Sequence, residues 1–316
     1  MHNKKISILE ILKTFSKNEL KEFEKFIKSP YFIKNLKVSP NALFKLYKEL
    51  LKYYPHFDEN KLNKRNLFEK IYPESVYKDE IMRNLISALV RLAEDYMSYS
   101  LFKNDEFERK KYLLLNLNKH KLDKLFERHE KNVSGLIEQN KTNTDYFINK
   151  HIFQTIINDF CKVRRKPYDM QVEVNTFFCY YLAKSLELYR NMAIDEYNQN
   201  ENFDFIFLDN VMSHLKDNSE LLNSYPMLSI LYYELMLVLY PEETYYQKLK
   251  KLKDTYVETL DILSQYSIYV CLSNFCVKMK NEGKKEYYME SFDLNEEILN
   301  RNIHRLTPYI PLYFFL

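Results

Sequence analysis

Two glycines, Gly135 and Gly283, in 316 residues limit this chain more than any other feature. Glycine supplies the positive-φ positions that hairpins, bulges and phosphate loops require. A β-rich or doubly wound α/β protein of this size needs many of them. The shortage predicts an all-α fold. It also removes the G-x-G-x-x-G fingerprint, the P-loop and the G-x-S-x-G elbow.

The nine prolines agree with that prediction. They stand between periodic stretches, where helices begin or end. Ser16 and Glu19 form the capping-box pattern, with Phe15 and Leu20 as its hydrophobic staple. The helix they begin runs to about Lys28, and Pro30 stops it. The next start has Ser39 at the N-cap and Pro40 in the first helical position, with Val38 and Leu43 as staple. A third start is Asn63, flanked by Leu62 and Leu67. Between the first two helices lies KSPYFIKN, residues 28–35. Tyr31 and Phe32 are expected to fold back and seal the corner, because large apolar side chains are usually buried. Lys34 and Asn35 are expected at the surface.

The clearest helix follows PESVY and spans 79–97. Ile81, Leu85, Leu89, Leu92 and Tyr96 make a stripe that Met82, Ile86, Ala93 and Met97 widen, with Arg83 and Arg91 opposite. The polar break at 102–106 divides the chain into a basic N-terminal helical module, 1–102, and a helical-hairpin region, 103–316. Helical patterns there fall at 106–119, 121–140, 144–166, 170–198, 203–216, 226–239, 242–263, 264–281 and 284–300. Helices of these lengths joined by short turns become antiparallel hairpins. In the last pair, Leu272, Phe275 and Cys276 are expected to face Tyr288 and Phe292, a spacing loosely like a tetratricopeptide repeat. The tail LTPYIPLYFFL is apolar and lacks the polar cap with which helical arrays close, so it is expected either to pack back onto the preceding pair or, the favoured reading, to mark a truncated array.

Residues 1–72 hold sixteen Lys and Arg against eight Asp and Glu, while the whole chain is only +3. A basic module of this kind suits nucleic acid or an acidic partner; the plainer account is a solvated lysine surface. Arg164 and Arg165 form a second basic spot at a helix end, where they also complement the helix dipole. The abundance of Tyr and Phe, with no Trp, suits an aromatic binding surface. The plainer account is a genome rich in A and T, since Lys and Asn are abundant too.

Catalytic constellations are not found. His120 with Asp123, and His129 with Glu130, lie in charged helical stretches that read as solvated faces. Cys271 and Cys276 resemble half of a metal site whose second half is missing. The cysteines read as reduced thiols of a cytoplasmic protein. No run of about eighteen apolar residues predicts a membrane span, so no membrane, metal or cofactor is expected.

The stretches FSKNELKEFEKFIKSPYFIKN and LFEKIYPESVYKDEIMRNLISALVRLAEDYM resemble the opening of a group of uncharacterised bacterial all-helical proteins. In these a Ser-Pro-Tyr-Phe-x-Lys-Asn turn ends a helix and tetratricopeptide-like hairpins follow. The resemblance covers residues 15–97 and implies an all-α repeat protein, with no activity, cofactor or catalytic residue. The expectation is therefore a non-enzymatic scaffold or adaptor that binds a protein or peptide. The alternative is a nucleic-acid-associated regulator acting through the basic module. An enzyme would need a site between hairpins that no motif announces.

Overall fold

The computed structural model describes residues 7–34, 36–57, 62–199 and 202–303. Every regular element among them is helical. The chain divides into two units, residues 1–109 and 110–316.

The first unit contains α1 (Ser7–Thr14), α2 (Lys17–Lys28), α3 (Pro30–Ile33), α4 (Pro40–Leu51), α5 (Lys64–Ile71) and α6 (Asp79–Asn104). Its boundaries follow their caps. Glu19 N–H donates to Ser16 Oγ at 3.2 Å, and Ser16 N–H donates to Glu19 Oε2 at 2.7 Å, completing the capping box. Ser39 Oγ accepts from Ala42 N–H, with Pro40 in the first turn. Asn63 caps α5 through Arg65 N–H at 2.8 Å. Phe15, Leu20, Leu62 and Leu67 are buried, as staple residues should be.

These helices enclose one core, drawn from Ile8 in α1 through Phe23, Tyr47 and Phe68 to Leu92 and Tyr96 in α6. Tyr47 is buried with its hydroxyl donating to Leu20 O at 2.6 Å, which satisfies the polar end of an otherwise apolar anchor. Two expectations need correction. α6 runs on to Asn104, and the stripe loses its two ends, since Ile81 and Met97 are exposed, while buried Met82, Ile86 and Ala93 keep its width. KSPYFIKN is not a plain turn either: Pro30 starts the short helix α3. Proline is well suited there because a first-turn N–H needs no intrahelical partner.

The second unit is built from α7 (Glu106–Lys119, shared with the end of the first), α8 (Asp123–Gln139), α9 (Tyr146–Val163) and α10 (Met170–Gln199). There follow α11 (Leu208–Asp217), α12 (Ser219–Ser224), α13 (Pro226–Leu239), α14 (Glu243–Tyr256), α15 (Ile262–Asn281) and α16 (Tyr287–Asn300). Successive helices pack on one another from α8 to α10 and from α13 to α16, and α10 also packs on α13. This is an all-α helical array. α13 is buried almost all round, from Met227 through Leu237, as a central helix should be. The long helix expected over 242–263 is broken. A single 3-10 turn, Val257–Thr259, ends α14, and Asp261 caps α15 by accepting from Leu263 and Ser264 N–H.

Gly283 closes α15 at a φ of 85°. Gly283 N–H donates to Lys280 O and Lys284 N–H to Met279 O, a Schellman closure that requires the left-handed conformation glycine adopts without strain. In α16 the expected inward residues Tyr288 and Phe292 are exposed, whereas Tyr287, Ser291, Leu294 and Ile298 are buried. Phe275 meets Tyr287 at 5.6 Å instead. The shift comes from polar partners: Glu290 receives Tyr246 and Lys250 from α14, and Glu297 receives Lys253 and Tyr269. Turning 288 and 292 inward would aim these carboxylates elsewhere and leave buried Lys253 with Asp254 as its remaining carboxylate. The apolar tail 306–316 lies outside the described residues.

Candidate functional site

The residues of the SPYF segment lead to a groove of about 610 Å³ in the first unit, between α2, α3 and the C-terminal half of α6. Its floor is aromatic. The rings of Phe26 and Phe32 stack at 3.7 Å, and Tyr96 stands edge-on to Phe26 at 5.6 Å. Tyr99 leans over both, 5.8 Å from Phe26 and 5.4 Å from Phe32. Helical spacing places these groups together: Tyr96 and Tyr99 are three apart on α6, and Pro30 turns the chain so that Phe32 returns onto Phe26.

Tyr31 takes the opposite course from the one expected. It is 83% exposed, with its ring edge against Phe32 at 5.2 Å. Adjacent residues of a helical turn point about 100° apart, so only one of the two rings can pack inward. Phe32 takes that place and is half-buried. A continuous series of ring contacts therefore runs from exposed Tyr31 through Phe32 and Phe26 to Tyr96, and on to buried Phe15 and Phe23.

The rim is charged in both senses, with Glu19, Glu22, Lys25 and Lys103. The Ser16 hydroxyl and backbone hold the Glu19 carboxyl below its ordinary value, and Lys25, 2.6 Å away, does the same for Glu22. Burial, reinforced by those two carboxylates, pushes the Tyr96 phenol up. Both shifts favour ionised Glu19 and Glu22 carboxylates beside a neutral Tyr96 phenol at neutral pH. The groove lining offers aromatic faces and charged side chains of both signs.

The other residues singled out in the sequence are dispersed. Lys34 is exposed, and Asn35 lies outside the described residues. Arg83 is exposed and pairs with Asp79 at 2.9 Å; Arg91 is exposed on the same helix. None of these lines the groove. Arg164, expected as a surface contact, is an internal bolt, its side chain only 10% exposed. It donates to Asp123 Oδ1 and Asn118 Oδ1, each at 2.6 Å, and to Phe160 O in the last turn of α9. Its guanidinium covers the Phe160 ring at 3.8 Å. The Asp123 carboxylate is thereby engaged by Arg164. Arg165 is exposed in the turn that follows, with a φ of 54°.

Several lysines of the basic module face carboxylates: Lys28 and Lys48 share Glu24, and Lys52 and Lys70 share Glu49. Among the described residues the four cysteines are free thiols, and no group of His, Cys, Asp and Glu is arranged to hold a metal ion. No described helix is long and apolar enough to cross a membrane. No protein-family model matches the chain, and no curated protein or solved structure does.

Tyr99 and Lys103 were not anticipated as groove residues. The available signal was the continued i, i+3, i+4 pattern past Met97, in which Tyr96, Tyr99 and Lys103 extend one face of α6.

Proposed function

We propose that the protein is a non-enzymatic helical scaffold of the cytoplasm that holds a polypeptide partner in the aromatic groove of its first unit. The observation that carries this reading is Tyr31, held out in solvent at the start of a short helix and backed by a stacked Phe32–Phe26 pair. A tyrosine presented on a rigid base contributes large contact area and loses little conformational freedom, which is why tyrosines recur as interface hot spots. The groove accepts an apolar or aromatic side chain, and the mixed rim selects a segment carrying charges of both signs. The free, mostly buried thiols accord with a reducing compartment. The tetratricopeptide-like resemblance belongs to the same proposal.

A nucleic-acid role receives less support from the first unit. Glu24 and Glu49 each neutralise two of its lysines, and a phosphate footprint needs clustered, available cations.

The test is capture by the full-length chain from native lysate, with Tyr31→Ser as the partner-binding variant and exposed Met289→Ser in the second unit as the control. A partner retained by wild type and the control but lost by Tyr31→Ser supports the reading. Equal recovery by all three, or none, overturns it. Thermal melts keep the test clean: Tyr31→Ser is expected to change stability by no more than about 0.5 kcal/mol, as surface substitutions do.

A further inference from the structure

A second concavity, of about 440 Å³, lies wholly within the second unit. It is walled by the turn before α9, by α10, by α13 and by the start of α15. At its base Arg190 of α10 donates to Glu234 Oε2 of α13. Arg190 also donates to Ser267 Oγ of α15 at 2.6 Å. Glu234 is 1% exposed. Its other oxygen, Oε1, is buried without a hydrogen-bond partner. Burial pushes the Glu234 carboxyl up, against the opposing pull of Arg190 and of the Ser267 hydroxyl.

The remaining charges of the cavity do not supply the missing donor. Asp145, Glu187, Glu234 and Asp261 line it, against Arg190 as the lining cation. Asp261 is saturated: Oδ1 accepts from Leu263 and Ser264 N–H, and Oδ2 accepts from Thr144 N–H and from the Thr144 and Ser264 hydroxyls. Burial works to raise its pKa, but those hydrogen bonds prevail and hold it below the ordinary value. Asp261 is therefore ionised and structural. Glu187 receives Lys184 at 3.0 Å. Among the lining carboxylates, Glu234 combines near-complete burial with an oxygen that lacks a hydrogen-bond partner.

What fits is a donor with positive charge, because carboxylates outnumber cations around it and a buried acceptor left unmatched is costly. Met227 and Leu231 form an apolar wall beside it, suited to methylene groups rather than to a bare metal ion. The volume lies in the range of small-molecule sites.

We propose that this cavity binds a small organic cation, a primary ammonium on a short alkyl chain, with an ammonium N–H donating to Glu234 Oε1 and the chain lying on Met227 and Leu231. The site is separate from the aromatic groove and does not depend on a polypeptide partner.

The experiment is isothermal titration calorimetry of the full chain with n-butylammonium chloride, at constant ionic strength, beside butyrate and 1-butanol. Saturable binding of n-butylammonium, with butyrate and butanol at least about tenfold weaker, is expected from one charge-assisted hydrogen bond. Glu234→Gln keeps the shape and removes the charge, and should weaken binding by about tenfold or more. Because that variant also breaks the pair with Arg190, a second one is needed. Leu263, 63% exposed at the mouth, changed to Lys should weaken n-butylammonium by about threefold through like-charge repulsion. Met289→Lys, the same charge change at an exposed site on α16 outside the cavity lining, should leave the affinity unchanged. The proposal is overturned by absence of saturable binding to wild type, by equal binding of 1-butanol, or by equal losses in Leu263→Lys and Met289→Lys.

Discussion

At the scale of single residues, three polar side chains fix where helices of the first unit begin. Ser16, Ser39 and Asn63 each sit one position before a helix and accept the backbone N–H that the pattern assigns to them. Such contacts are local, so sequence spacing is enough to place them. Tyr31 and Phe32 were not separable in the same way. Both are large and apolar, and only the direction in which Pro30 restarts the helix decides which ring meets Phe26. The capping box makes a quantitative prediction. Ser16→Ala should destabilise the protein by about 0.5–2 kcal/mol at neutral pH. Glu19 belongs to the same box and its folded pKa is depressed from 4.5. A depressed carboxylate contributes stability above its unfolded pKa, and loses it as the pH falls through the folded value. The gap between wild type and Ser16→Ala in urea melts should therefore narrow from pH 6 toward the acid limb, below about pH 4.5. A gap that stays constant across this range would show that Glu19 takes no part.

At the scale of elements, most helices of the second unit were readable from periodicity; the short α12, Ser219–Ser224, was missed and α11 begins at Leu208 rather than 203, while two further departures share one cause. The break between α14 and α15 carries no glycine or proline, so 242–263 reads as continuous. Asp261 makes the break by capping α15 while its second oxygen clasps Thr144, 117 residues away in sequence. Thr142 Oγ1 donates to Thr259 O at 2.6 Å beside it. The one-residue shift of the α16 face likewise follows from Glu290 and Glu297 meeting lysines and tyrosines on other helices. Long-range polar pairs of this kind leave no periodic trace. Asp261→Ala removes the cap and the clasp together and should cost about 1–3 kcal/mol. Asp261→Asn should recover part of that loss, because asparagine caps nearly as well but accepts with only one oxygen. Denaturant melts of the two variants distinguish the contributions. Equal loss in both would mean that the Thr144 clasp, and not the cap, dominates.

At the scale of the whole molecule, glycine poverty and punctuating prolines were sufficient for the all-α class, since helices need neither positive φ nor long-range register. The two concavities were not legible. The groove depends on rings from α2, α3 and α6, and the second cavity on a buried pair between α10 and α13. The same architecture predicts that the first unit holds its fold by itself. Its buried cluster runs from Ile8 to Tyr96 and is assembled entirely from α1, α2, α4, α5, α6 and the segments between them. Short helices are marginal alone in water, so this core has to supply the cooperativity. A chain of about 110 residues buries enough surface to fold independently. The fragment 1–109 should give a helical far-UV circular dichroism spectrum, a single sigmoidal thermal transition and dispersed side-chain NMR signals. Phe23→Ala, at a fully buried position whose ring touches Phe15, Tyr47 and Tyr96, should lower its stability by about 3–5 kcal/mol. A fragment that is helical but melts gradually and lacks dispersed side-chain signals would have the character of a molten globule. The packed rings around Phe23 would then be insufficient to specify the unit, and the autonomy argued from its core would fail.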